Sequence, residues 1–466
     1  MKIYVLGWLG AIKLYPYHVP GSVFIVFMEP YRKELTMYNK NYISVGIDVG
    51  SAFSFMTILA PDETVILKPF KITHNNKDSL ERAVSEIKKA EELYSLESRT
   101  FLESTGIYHF PLFCYLVDCG FNASIINPII THSTKNGNIR KVKNDKIDSK
   151  GIAKLGLSKD IPVSQFPAKL VLELRSLTRK YYDLTDERSA HINKLKGDLH
   201  TVFPQYLDVF CDVTGKTSTM ILRQYGTPDK ILRGHKKTMI EKISKASRKG
   251  LAKASERYEK LCAAANAAKT FGCQIDSIYF NIFLTLDLVE KLDSALDSIL
   301  NRIRQLITFN KNEKFIQQIK LLNTIPGVGF LTAVTIMCEI GDFSAFRNPK
   351  QLFAYFGLDP EVNESGKFVG TQLHMSKRGS RIARRAIFAV ALASIRTKRN
   401  GEGINPYLRK YYELKSGQKP KMVAIGAVMH KVCNIVFAVL RDEKAFELRS
   451  PEEHCKQYQR PALAAA

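Results

Sequence analysis

Between residues 42 and about 160 the apolar positions come first in strand-like runs and then at helical spacing. "YISVGIDVG" is an apolar, β-rich run ending in Gly50, "SFMTILAP" continues after a short turn, and "ETVILKPFKIT" reads as a third strand. "KDSLERAVSEIKKAEELY" has helical periodicity with Asp78 near its start. "RTFLEST" reads as a short buried strand, "FPLFCYLVDCG" as a helix closed by Gly120, and "FNASIINP" as another strand before a last helix. The order β-β-β-α-β-α-β-α describes an α/β domain in which three antiparallel strands precede βαβ units.

From about 166 to 322 the strand signals vanish. "LVLELRSLTRKYYDLTDERSAHINKLKGDLHTVF" spaces Leu, Ile and Val three and four apart amid abundant charge, as a long amphipathic helix does. A second long helical pattern runs through roughly 276–322, and "TPDKILRG" and "MIEKISKASRKG" read as short capped helices between the two. Two readings stand for this stretch: a partly coiled-coil insert that meets a partner, or an ordinary bundle. From about 320 to 445 a compact helical unit follows. In it "LLNTIPGVGFLTAVTIMCEIG" has the pattern of a helix-hairpin-helix module, whose turn at Gly327 and Gly329 exposes backbone N–H groups suited to phosphate. A plain tight turn between packed helices is the alternative. The expected organisation is therefore an extra segment 1–40, an α/β domain 41–163, a helical region 164–319, a C-terminal helical domain 320–445 and a tail 446–466. Residues 1–40 carry little periodicity, and a reading frame extended upstream of a working start near Met37 would explain them.

Composition narrows the partners. The chain has 466 residues, 69 Lys plus Arg against 45 Asp plus Glu, and a formal charge of +24. An excess of that size implies a polyanionic partner, nucleic acid or an acidic membrane surface. The membrane reading is the weaker one, because no run reaches the ~18 uninterrupted apolar residues of a spanning helix. The apolar start is broken by Lys13, Pro16 and Pro20, unlike a signal peptide. Eight cysteines are scattered without CxxC or Cys/His spacing, which favours reduced thiols in a cytoplasm over disulfides or zinc.

Four acids stand out against this basic background. Asp48 in "GIDVGS" and Glu103 in "FLESTGIYH" each close an apolar strand, where a carboxylate is costly unless it is paired or bound to metal. Asp145 and Asp148 in "KVKNDKIDSKG" are three apart on a predicted helix, hence on one face, and Lys141, Lys143 and Lys146 surround them. Charge balance on a solvated helix, and a capping or turn role for Asp48, are the plain alternatives. Together the four supply hard oxygen donors from three elements, which suit Mg²⁺ or Mn²⁺ rather than zinc. Such ions serve phosphodiester chemistry by activating the attacking group and stabilising the leaving oxygen. Further on, residues 367–400 hold nine Lys or Arg and no acid. Lys367, Lys377, Arg378, Arg381, Arg384 and Arg385 read there as phosphate contacts, with a merely solvated face as the alternative. Ser365 and Ser376 lie in the same segment, where a serine is either a turn former or a nucleophile towards phosphorus.

"GIDVGS", "FLESTGIYH", "KNDKIDSKGIAKL", "TIPGVGFLTAVTIMCEIGDFSAFRNPKQLFAYFGLDP" and "SGKFVGTQLHMSKRGSRIARRAI", in this order, resemble the DEDD transposases of the insertion-sequence family IS110, with its IS1111 branch. The resemblance covers roughly 42–440. It implies an RNase H-like (RuvC-like) N-terminal domain whose Asp48, Glu103, Asp145 and Asp148 bind Mg²⁺. It also implies a coiled-coil insert and an all-α C-terminal transposase domain whose serine links covalently to cut DNA. The matching serine is Ser365 in "ESGK", with Ser376 in "MSKRG" as the other candidate. Implied partners are donor and target DNA, a noncoding bridge RNA that pairs with both, and further copies of the chain as dimers pairing into tetramers, in a prokaryotic cytoplasm beside the nucleoid and with no membrane. Two rivals remain: a RuvC-like structure-selective endonuclease that uses the same acids with water as nucleophile, and a non-catalytic nucleic-acid scaffold. The scaffold needs only the basic surface and the hairpin and tolerates loss of all four acids.

Overall fold

The computed structural model describes residues 41–104, 108–126, 145–158, 169–361, 364–365, 368–369, 374–450 and 453. The expected N-terminal segment 1–40 lies outside these residues. The chain divides into two compact units, Met1–Phe166 and Pro167–Ala466.

The first unit is built on five strands: β1 (Ile43–Val49), β2 (Phe53–Leu59), β3 (Val65–Thr73), β4 (Ser98–Glu103) and β5 (Asn122–Ile126). They lie in the order β3-β2-β1-β4-β5. β1, β2 and β3 pair antiparallel through short turns, while β4 joins β1, and β5 joins β4, in parallel. The parallel joins need crossovers, and α1 (Lys77–Tyr94) and α2 (His109–Asp118) supply them. Asn76 caps α1 by accepting from the Ser79 N–H. Ala83, Ile87, Leu112, Phe113 and Leu116 of these two helices cover one sheet face over Ile43, Val45, Ile47 and Leu102. α3 (Asp145–Ser158) covers the other face, with Ile152, Ala153 and Leu155 over Tyr42, Phe101 and Leu59. This mixed sheet with helices on both faces is consistent with the RNase H-like arrangement that the resemblance implied.

Among its described residues the second unit is helical apart from one small hairpin. Its α4 (Lys169–Val202) is followed by α5 (Tyr206–Val209), α6 (Lys216–Gln224), α7 (Pro228–Leu232), α8 (Lys236–Ser247), α9 (Leu251–Thr270) and α10 (Asp276–Phe309). Then come α11 (Lys314–Leu322), α12 (Phe330–Ile340), a 3-10 turn (Phe343–Ala345), α13 (Pro349–Tyr355), β6 (Glu364–Ser365) paired with β7 (Phe368–Val369), α14 (Arg381–Ile395), α15 (Pro406–Ser416) and α16 (Lys421–Asp442). The long α4 and α10 lie side by side and antiparallel. Leu170 and Leu174 share a core with Ile303 and Leu306, while Leu195 and Leu199 share another with Tyr279, Ile282 and Leu286. The first of these cores continues into α12, α14 and α16, so the long pair and the C-terminal helices are packed as one body. α16 is long and apolar enough to cross a membrane by length and composition, and it spends that apolar surface in this core, where Val428, Val432, Cys433 and Val436 are fully buried.

Two expectations need correction. The helical pattern over 276–322 is not continuous: it breaks after Phe309, where the Asn310 side-chain amide donates to the Leu306 carbonyl at 2.8 Å and ends the ladder. The 20-residue α9, which the spacing did not announce, buries Ala254, Ala264, Ala265 and Ala268 beside Tyr258 and Leu261. Small alanines make a close-packing face that carries little hydrophobic contrast.

Candidate active site

β1 and β4 run parallel in the register Gly46↔Phe101, Ile47↔Leu102, so Asp48 and Glu103 are the next residues on adjacent strands, both at their C-terminal ends. Strand alternation fixes the face they share. Tyr42 OH donates to the Gly156 carbonyl at 2.7 Å and Ser44 Oγ to the Ala153 carbonyl at 2.7 Å, so the even-numbered side of β1 meets α3. Gly46 meets it still more closely: a Cβ there would lie 2.3 Å from both Ala153 N and Ser149 O. Only a glycine lets helix and strand approach this far. Successive contacts of residues 42, 44 and 46 with 156, 153 and 149 show α3 running antiparallel to β1. The next step along β1 is Asp48, and the next turn back along α3 is its opening residue, Asp145. On β4, Phe101 lies against Gly156, and Glu103 follows two residues later on the same face.

Two hydroxyls hold the start of α3 in this position. Thr57 Oγ1 of β2 and Ser149 Oγ lie 2.7 Å apart and fully buried, and Ser149 Oγ reaches the Lys146 carbonyl at 3.0 Å. Positions 145, 148, 149, 152, 153 and 156 form one stripe at helical spacing. The Asp145 side chain lies outside the described residues; Asp148 is half-buried. Glu103 is 8% exposed, and its Oε2 has no hydrogen-bond partner among the described residues. A buried carboxylate oxygen left without a donor costs about 1–3 kcal/mol or more, and a cation would satisfy it. The donor set on this face is carboxylate oxygen throughout, which fits Mg²⁺ or Mn²⁺. Among the described residues no three His, Cys, Asp or Glu side chains come close enough together to hold an ion. Of the neighbouring lysines, Lys146 is exposed with Nζ 5.8 Å from the Phe55 ring, and Lys141 and Lys143 lie outside the described residues.

In the second unit, Ser365 sits in the two-residue strand β6 opposite Phe368; its side chain, and all of Lys367, lie outside the described residues. Segments 357–361 and 374–377 form the stem below it, through Ser376 N–H to the Asp359 carbonyl (2.8 Å), Lys377 N–H to the Gly357 carbonyl (3.1 Å) and Glu361 N–H to the His374 carbonyl (2.7 Å). Ser376 Oγ donates to Asp359 Oδ1 at 2.6 Å, a bond that fastens the stem. Lys377 and Arg378 are exposed at its end, Lys377 in left-handed backbone with φ 53°.

The arginines expected to share a phosphate-facing surface have separate tasks. Arg381 is exposed in the first turn of α14. Arg384 turns inward, its Nη1 donating to the carbonyls of Phe356 (3.1 Å) and Gly379 (2.8 Å). Arg385 pairs with Asp186 of α4 at 2.7 Å and covers the Tyr182 ring. The turn between α11 and α12 also differs from expectation. Gly327, at φ +97°, packs against α14, where a Cβ would lie 2.5 Å from Ser394 Oγ, whereas Gly329 opens to space at the start of α12.

The sequence reading passed over Glu339. It is 3% exposed, accepts a two-pronged bond from Arg179 (2.8 and 2.9 Å) and accepts from Ser380 Oγ at 2.7 Å. Ser380 in turn caps α14 by accepting from the Ala383 N–H. Burial pushes the Glu339 carboxyl up, but the Arg179 and Ser380 hydrogen bonds and the charges of Arg179 and Arg175 outweigh it and hold the group below its usual range. A lone acid inside "TAVTIMCEIG" was the available signal, the same one that marked Asp48.

A family model described as "Transposase", of the DEDD IS110 type, matches residues 45–204, and one described as "Transposase IS116/IS110/IS902 family" matches 319–413. Among similar proteins, a 43.6 kDa protein of insertion element IS110 from Streptomyces coelicolor is 23% identical over 286 residues, 61% of this chain and 66% of that protein. The pilin gene-inverting protein of Moraxella bovis is 30% identical over 177 residues, 38% of this chain and 52% of that protein. The transposase for insertion sequence element IS1111A of Coxiella burnetii is 26% identical over 188 residues, 39% of this chain and 50% of that protein. The chain thus spans between half and about two thirds of the length of these curated relatives.

Proposed function

We propose, from the premise that this chain belongs to the IS110 family of transposases, that it cuts and rejoins DNA strands with Asp48, Glu103, Asp145 and Asp148 as metal-binding acids and Ser365 as nucleophile. The observation that carries the reading is the placement of Asp48 and Glu103 at adjacent strand ends beneath the opening turn of α3, with Glu103 Oε2 buried and without a hydrogen-bond partner among the described residues. Mg²⁺ or Mn²⁺ held there would offset charge on a phosphodiester and on its leaving oxygen. The protein's own part is to hold the four carboxylates, with the Thr57–Ser149 pair and the Gly46 contact fixing α3 over β1. At Ser365, Oγ forms a bond to phosphorus as one P–O bond of the strand breaks, and the hydroxyl proton is balanced by one taken up on the leaving oxygen. Attack by an incoming strand end then reverses the exchange and seals the junction. Ser376 suits this role less well, since its hydroxyl already fastens the stem to Asp359.

Guidance by a noncoding RNA that pairs with donor and target rests on the likeness of the quoted motifs to the family. Assembly into dimers and tetramers has support in α10, where Phe280, Leu284 and Leu288, spaced four apart, are 62%, 46% and 43% exposed and would be covered by a second copy. The test is strand transfer on a donor–target pair. Asp145→Asn and Ser365→Ala should each abolish it while nucleic-acid binding persists, and undiminished recombination by either variant would contradict the assignment. A protein–DNA adduct that wild type forms and Ser365→Ala does not separates this reaction from a RuvC-like nuclease, which would use water.

A further inference from the structure

The net charge of +24 is unevenly spread. Between residues 230 and 253 there are nine Lys or Arg and one acid, Glu241, so a third of the chain's net charge sits in a small fraction of its length. This stretch runs from the end of α7 through α8 and the turn into the first residues of α9, whose remainder adds Glu256 and Glu259 against Arg257, Lys260 and Lys269. It lies between the two stretches that the family models match, so neither assigns it a role. The module packs into the core that Leu195 and Leu199 of α4 and Tyr279 of α10 also line, and it buries Met239, Ile243, Ala254, Tyr258 and Leu261 there. Its turn is held in place: Ser244 Oγ donates to the Lys249 carbonyl at 2.8 Å, and Arg248 takes left-handed backbone at φ 53°.

Some cations here serve the module itself. Lys236 pairs with Glu259, and Lys242 lies over the Tyr225 ring. Lys237, Lys245, Arg248, Lys249 and Lys253 are all exposed and make no ion pair among the described residues. Glu256, which is paired with Lys260, also feels the charge of Lys253. Concentrated, exposed and unneutralised charge raises the energy of the folded module by self-repulsion, which a polyanion would relieve. Leu251 is the one large apolar side chain exposed on these two helices, so the surface lacks the apolar anchors a membrane-lying hairpin uses.

We infer that the α8–α9 hairpin is a contact surface for the phosphate backbone of duplex DNA, distinct in residues from the acids and the serine of the proposed reaction. Only the choice of DNA over other polyanions rests on that reaction. Backbone contact of this kind carries no sequence information and positions the protein on the duplex. Each phosphate neutralised releases condensed counterions and adds about 0.9 to the slope of log affinity against log salt.

The experiment uses the full chain and a random-sequence duplex titrated at several NaCl concentrations, with circular dichroism confirming the fold of each variant. Changing Lys245, Arg248, Lys249 and Lys253 together to Gln should make the salt slope shallower by about 3 to 4. A control with Lys68, Lys77, Lys88 and Lys89 changed to Gln alters net charge equally and should leave the slope within about 1 of wild type. An unchanged slope in the hairpin variant overturns the inference, as does an equal loss in the control. A loss confined to a structured RNA of similar length, or to anionic lipid vesicles, also overturns it. Were strand transfer absent while the hairpin effect held, the proposed reaction would fall and this surface would stand.

Discussion

In the α/β unit, four acids stand out in the sequence, and backbone geometry brings their positions to one end of β1, β4 and α3. In the segment after Ser365, nine basic residues without an acid stand out just as clearly, yet Arg384 spends its guanidinium on two backbone carbonyls and Arg385 on Asp186 and Tyr182. The difference lies in the side chains. A carboxylate accepts only, so on an apolar strand it must meet a donor, a cation or solvent, and its position alone narrows its role. A guanidinium offers five donors, and the protein's own carbonyls satisfy them as readily as a phosphate does. Arginine-rich stretches therefore overstate a phosphate-facing surface until each guanidinium has been traced to its acceptors.

Glu339 is the sharpest test of this contrast, because it is an acid on an apolar element that is fully answered from inside. Glu339→Ala should cost about 3 kcal/mol in urea unfolding, the low end for breaking a buried pair because Arg179 is 53% exposed at its side chain. A loss under about 1 kcal/mol would show that the pair is solvent-screened and that strand or helix acids in this fold are not obliged to pair. Its pH dependence has a definite sign. The folded-state pKa is depressed, so the contribution is complete above the usual glutamate value of about 4.3 and fades as pH falls through the folded value. Glu339→Gln should remove that acid limb from the stability profile.

Gly46→Ala probes the other side of the comparison, the backbone approach that brings α3 over β1. A Cβ 2.3 Å from Ser149 O and Ala153 N cannot be absorbed by a side-chain shift, since both atoms are main chain. The expected cost is about 2 kcal/mol, with α3 displaced from the sheet. Stabilisation by Mn²⁺ in a thermal melt should weaken in the same variant. Full Mn²⁺ stabilisation in a destabilised Gly46→Ala protein would detach α3 from the metal.

Glu103→Gln asks a smaller and cleaner question. If Oε2 awaits a cation, the neutral amide should leave the metal-free protein as stable as wild type, or more stable by about 1 kcal/mol, while abolishing the rise in melting temperature with Mg²⁺ or Mn²⁺. Wild-type metal response in this variant would remove Glu103 from the site.

What the sequence disclosed follows the same physics. The element order and the antiparallel-then-parallel pairing were legible because short turns force antiparallel neighbours and intervening helices force parallel ones. Asp48 and Glu103 were legible because each ends an apolar run. The Thr57–Ser149 pair was not, since serine and threonine are ordinary on any amphipathic face and 92 residues separate the two. α9 was missed because alanine packs closely without standing out as hydrophobic, and the break at Asn310 because its cap is a side-chain bond rather than a Gly or Pro. Glu339 was missed although its setting resembled that of Asp48. Its partner Arg179 lies 160 residues away, in a helix read only for its apolar stripe.

The finest distinction separates two arginines three residues apart. Arg384 makes two bonds to carbonyls at the base of the serine stem, so Arg384→Ala should lower stability by about 1–2 kcal/mol, since each lost bond leaves a part-buried carbonyl short of a donor. Arg381 is exposed and makes no ion pair among the described residues, so Arg381→Ala should change stability by less than about 0.5 kcal/mol. DNA affinity should move the opposite way, with the salt slope reduced by about 1 in Arg381→Ala and unchanged in Arg384→Ala under conditions where both are folded. Urea titration and salt-dependent binding on the same two proteins decide it. If Arg384→Ala lost the phosphate contact at full stability, the inward bonds would be replaceable, and the basic segment would again read as one continuous surface.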